Sequence, residues 1–164
     1  MKLAGLATGT FYKYYPSKDS LFLAIYNEEN VKLKKAIMES IDLKANPIDV
    51  VKELMYLNLQ GMSANPILKE WYNREVFSKI EQKFREENGL DQVDFLYSSF
   101  IEIVKNWQAD GKIRSDIDAD MIMAIFSSIA VMETHKDEIG FQYFPRLVEY
   151  VSDFIMKGLT NCDE

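Results

Sequence analysis

Two Asn-Pro pairs most constrain what this chain can fold into. Asn46-Pro47 and Asn65-Pro66 each set a capping side chain directly ahead of a proline, and each precedes an apolar run spaced at three and four residues. Proline at the first helical position forfeits only an amide proton that has no intrahelical acceptor, and the asparagine before it can bind first-turn amides. Both pairs read as helix starts. No segment sustains the period-two alternation of a half-buried strand. With seven Gly and four Pro in 164 residues, a turn-rich β architecture is poorly supported. The expected fold is all-α, a single helical body with a small appendage.

The remaining punctuation gives the order of helices. After the Tyr15-Pro16 break, Ser17 caps a helix that carries one apolar stripe through Leu21, Phe22, Ile25 and Tyr26 toward Met38. From Pro47, the residues Ile48, Val50, Val51, Leu54, Met55, Tyr56, Leu57 and Leu59 leave hardly a polar face, the pattern of a central helix surrounded by others. After Asn65-Pro66, Leu68, Trp71, Tyr72, Val76, Phe77, Ile80 and Phe84 continue to near Gly89, as one helix or as two. From Asp91, Val93, Leu96, Tyr97, Phe100, Val104 and Trp107 hold helical register until Gly111, which suits a left-handed cap.

Bulky stripes mark the last two helices. One consists of Ile122, Ile125, Phe126, Ile129 and Met132; the other of Phe144, Leu147, Val148, Val151, Phe154 and Ile155, on a helix begun near Pro145. Such stripes can cover the core of one chain or pair across a two-fold axis as a four-helix bundle. The pattern leaves both open. There is no internal repeat, low-complexity segment or long linker.

Composition narrows the class of function. No apolar run approaches bilayer length and the first residues lack the pattern of a secretory signal, so the expected location is cytoplasmic. The single cysteine, Cys162, has no second thiol to pair with. One His and one Cys far apart, no Gly-rich phosphate loop and no paired carboxylates speak against an enzyme. His135 lies beside Glu133 and Asp137, which makes a metal site conceivable, but a cap or surface histidine is the commoner outcome; neither metal nor cofactor is expected. The net charge of -7 divides unevenly: residues 1–35 carry six lysines against three acids, which leaves the remainder at -10. A basic end on an acidic body suits a protein that turns one end toward phosphate.

The stretch Leu3 to Ile25, LAGLATGTFYKYYPSKDSLFLAI, carries the functional signal. Ala4-Gly5-Leu6 has the composition of a tight turn between helices; Thr8 to Tyr15 is a short segment dense in aromatics and hydroxyls; Pro16-Ser17 closes it. A helix entering the major groove needs short donors near its start and flanking side chains that reach phosphate. Thr8 and Thr10 suit base edges or phosphates, Tyr12, Lys13 and Tyr14 suit phosphates or bases, and Lys18 suits the backbone beyond. Phe11 and Tyr15 suit inward packing.

This stretch resembles the TetR family of transcriptional regulators, whose helix-turn-helix has a glycine turn, an aromatic recognition helix and a Ser-Lys pair ahead of Leu-Phe. Gly5, Thr8, Gly9, Thr10, Phe11, Tyr12, Tyr14, Tyr15, Ser17, Lys18, Leu21 and Phe22 stand where that pattern places them. Asp110-Gly111-Lys112-Ile113-Arg114 followed by Asp116 and Asp118 is a second, weaker likeness to the family's regulatory body.

The resemblance implies a TetR-like helical bundle: a partial helix-turn-helix with its connecting helix over residues 1–38 and a ligand-binding and dimerisation body over 39–164. It implies a repressor released from operator DNA by a small apolar or aromatic effector held between the central helices. Met55, Leu59, Met62, Trp71, Tyr72, Phe77, Phe100 and Trp107 are the candidate walls of that pocket, though core packing is the commoner role of such residues. Glu102 and Glu133 can balance a cationic ligand if turned inward. A homodimer interface is implied for the last two helices, at the two stripes given above. Met1 stands inside what the resemblance implies is the second helix, so weak operator binding is expected of this chain. The alternative is a dimer-forming helical interaction module without DNA binding.

Overall fold

The computed structural model of the chain describes residues 14–86 and 94–160. Seven α-helices follow in order: α1 (Lys18–Ser40), α2 (Pro47–Ala64), α3 (Arg74–Glu86), α4 (Asp94–Ala109), α5 (Ala119–Glu133), α6 (Lys136–Ile139) and α7 (Arg146–Thr160). Short 3-10 turns at Leu68–Tyr72 and Phe141–Tyr143 complete the described elements, and no strand occurs among them. The protein is all-α.

Local chemistry sets the boundaries. Ser17 Oγ accepts from the amide of Ser20 at 3.0 Å, Asn46 Oδ1 from Ile48 at 2.9 Å and Asp118 Oδ1 from Met121 at 2.8 Å. Each satisfies a first-turn amide that the helix itself leaves unpaired. At the end of α4, Gly111 adopts φ +68°, and the amide of Lys112 returns to the carbonyl of Trp107 at 2.8 Å, the left-handed stop expected there.

The second Asn-Pro pair behaves differently from the first. Asn65 Oδ1 takes the amides of Ile67 and Leu68 at 2.8 and 3.2 Å, but the turn that follows is the 3-10 segment. Asn73 then accepts from the amide of Glu75 at 3.1 Å, offering the backbone a side-chain partner in place of a continuing helix. The stretch that read as one helix or two is thus a 3-10 turn and α3.

Apolar side chains gather in two clusters. The first joins Ile37 and Ile41 to Val50, Val104, Trp107, Ile113, Ile122, Met123 and Met156. It sits where α2 meets α7, α4 meets α5, and α5 meets α7. The second joins Leu23 and Tyr26 to Met62, Leu68, Trp71, Phe77, Ile80 and Phe84, where α1 meets α3 and the 3-10 turn. Leu33 packs against both. Residue 38, the expected end of the first region, falls inside α1. Gly61 lets α2 approach α1 closely, because a Cβ there would collide with the Leu33 side chain. No described helix is long and apolar enough to cross a membrane.

Candidate functional site

A cavity of about 610 Å³ opens between α1, α2, α4, α5 and α7. α2 gives it Ile48, Val51, Leu54, Met55 and Leu59; α4 gives Phe100, Val104 and Trp107; α5 gives Met123, Phe126 and Ile129; α7 gives Val148 and Met156. This explains the many apolar positions of α2. Val51, Leu54, Met55 and Leu59 are half-buried rather than enclosed, since one side of each borders this space.

Among the eight residues expected to wall a pocket, Met55, Leu59, Tyr72, Phe100 and Trp107 line this one. Met62, Trp71 and Phe77 do not; all three lie buried in the second cluster. The last turns of α2 have left the cavity by Met62. Trp71 is enclosed by rings: its own stands 5.3 Å from Tyr26 and 4.9 Å from both Phe77 and Phe84. Aromatic periodicity alone does not distinguish a wall from such a stack.

The cavity's polar groups come from separate elements. Lys34 of α1 donates through Nζ to Asn58 Oδ1 of α2. Tyr72 Oη donates to Glu133 Oε1 of α5 at 2.7 Å. All four residues line the cavity. Burial pushes the Lys34 ammonium down to about 8, partly countered by the attraction of Glu133. Burial holds the Tyr72 phenol in its neutral form, well above the usual range, and the carboxylates of Glu133 and Glu149 add to this. Of the two glutamates considered from sequence, Glu133 turns inward. Glu102 is exposed and pairs with Lys105 at 3.0 Å.

Behind Tyr72 lies a lysine that the sequence did not single out. Lys136 is fully covered, with Nζ 4.0 Å from the Trp71 ring centre and 4.1 Å from that of Phe77. It donates to the carbonyl of Glu133 at 2.7 Å. Desolvation pushes it down to about 7 against the pull of Glu133, Glu81 and Asp137. The nearby His135 ring lies with Nδ1 2.9 Å from the carbonyl of Val131, and no group of three metal-capable side chains occurs among the described residues.

Thr8, Thr10, Tyr12 and Lys13 lie outside the described residues. Tyr14 is 71% exposed and Lys18 is also exposed. On the last helices the two stripes split by direction. Ile122 and Ile129 are buried within one chain, while Phe126, Ile129 and Val148 face the cavity. Phe126 and Val148 are half-buried at that cavity. Ile125, Met132, Phe144, Leu147, Val151 and Ile155 are half-buried, and Phe154 is 65% exposed. Met121, Val131, Tyr143 and Tyr150 are exposed as well.

Lys34 and Asn58 were missed from sequence although one carries a readable signal. Lys34 falls eight residues after Tyr26 and three before Ile37, on the inward stripe of α1. Comparison with protein-family models, curated proteins and solved structures finds no match to this chain.

Proposed function

We propose that this chain is a TetR-like transcriptional regulator, a repressor whose hold on operator DNA is released by a small, largely apolar effector in the α1–α2–α4–α5–α7 cavity. One observation carries the reading: α1, capped by Ser17, follows directly on the motif that resembles a recognition helix and delivers Lys34 to the cavity wall. Lys34 lies 17 residue steps along the helix from Ser17, a span of about 26 Å. A tilt of about 5° over that length displaces the far end by about 2 Å. Two recognition segments in a dimer must stand about 34 Å apart to dock together, so an effector that favours a tilted α1 shifts the population away from the DNA-binding spacing. The exposed side chains of α5 and α7, Met121, Tyr150 and Phe154 among them, supply apolar surface for the homodimer this requires.

The test is selection of DNA from a random duplex library at low salt, where phosphate contacts are strongest. Recovery of two-fold symmetric sites with half-sites about one turn apart, lost when a cavity ligand is added, supports the reading. A chain that self-associates and binds ligand but retains no sequence above background is instead an interaction module without DNA binding.

A further inference from the structure

Lys34 and Glu133 reach the same cavity from different helices, and each is held by a neutral group. Asn58 accepts from Lys34, and Tyr72 donates to Glu133. The two charges attract one another, yet no ion pair joins them among the described residues. Most of the surrounding wall is apolar, with Val51, Leu54, Phe100 and Met123 among its members. In such surroundings a charge without an opposite partner is costly.

That arrangement constrains the polar end of a ligand. A head bearing only a carboxylate compensates Lys34 but faces the Glu133 carboxylate. A head bearing only an ammonium does the reverse. Tyr72 is hydrogen-bonded to Glu133 at 2.7 Å, and Glu149 lines the same cavity, so acidic groups mark the side of the site away from Lys34's partner Asn58. We propose that the cavity takes a molecule with an apolar body and a zwitterionic amino-carboxylate head, its carboxylate toward Lys34 and its ammonium toward Glu133. This rests on the reading of the cavity as an effector site.

Four ligands with one body test it on the protein with its cavity residues intact: 2-aminododecanoic acid, dodecanoic acid, dodecylamine and dodecanamide. Each is titrated below its micelle concentration, and binding is followed by tryptophan emission in a Trp71→Phe background, which leaves Trp107 at the cavity wall as the reporter. The zwitterion is expected to bind about tenfold or more tighter than the other three, the advantage of one charge-assisted hydrogen bond kept rather than lost. Lys34→Met should erase its advantage over dodecylamine, and Glu133→Gln its advantage over dodecanoic acid. Equal or tighter binding of any other member by the protein with its cavity residues intact overturns the head-group assignment while leaving the cavity as an effector site. Binding of none of the four overturns both.

Discussion

Lys136 and Trp71 are in face-to-cation contact, the Nζ 4.0 Å above the indole ring, in a place where the whole lysine is covered by protein. The aromatic quadrupole offsets part of the cost of burying the ammonium. It does not offset all of it, since burial still pushes Lys136 down to about 7.

Stability should therefore rise with pH above neutrality. Lysine in the unfolded chain keeps its proton to about 10.4, whereas folded Lys136 releases it near 7 and folded Lys34 near 8. Across that window the unfolded state binds more protons, so raising the pH favours the folded state. Above about 10, where unfolded tyrosine ionises, the trend should reverse, because Tyr26 and Tyr72 are held neutral by burial. Urea midpoints measured from pH 6 to 11 should trace a maximum. Lys136→Met should flatten the rise and stabilise the protein at pH 7 by about 1–4 kcal/mol; a slope unchanged by that substitution would place the titration elsewhere.

Trp71 is the centre of its cluster, in ring contact with Tyr26, Phe77 and Phe84. Trp71→Ala should cost about 3–5 kcal/mol in chemical denaturation. Trp71→Phe keeps much of the apolar volume and should cost markedly less.

Ser17 caps α1 through the amide of Ser20, and its hydroxyl also accepts from Lys83 of α3 at 3.4 Å. Ser17→Ala should lower stability by about 1 kcal/mol, with amide exchange accelerating first at residues 18–22. Ser17→Asp restores a cap and should recover most of the loss.

Gly111 stands at φ +68° with no atom near enough to obstruct a Cβ. The cost of Gly111→Ala is then backbone strain alone, about 1–2 kcal/mol. Gly111→Asn tolerates the left-handed region better and should cost less; equal losses for the two would point to a contact instead.

Two capped helix starts were legible in the sequence. Ser17 and Asn46 supply the caps where expected, and the last helix begins beside Pro145 as its stripe suggested. The break at Asn73 was not legible, because the same apolar spacing runs through Leu68, Tyr72 and Val76 on both sides of it. Cavity walls were partly legible. Met55 and Met62 are seven residues apart on one helix, yet one borders the cavity and the other the aromatic stack, a difference set by which neighbour α2 meets at each turn. Lys136 gave no sign at all: it belongs to the four-residue α6, too short for any period to show which way it points.

The meeting of the two clusters at Leu33 has a consequence for cooperativity. α1 feeds both through Tyr26 and Ile37, and α2 through Val50 and Met62, so neither core can melt without loosening a helix the other needs. Leu33, set against Gly61 where those helices come closest, is the side chain both cores share. Trimming it to alanine should cost less in total stability than it costs in unity of the transition: calorimetry would then resolve two overlapping unfolding events in place of one.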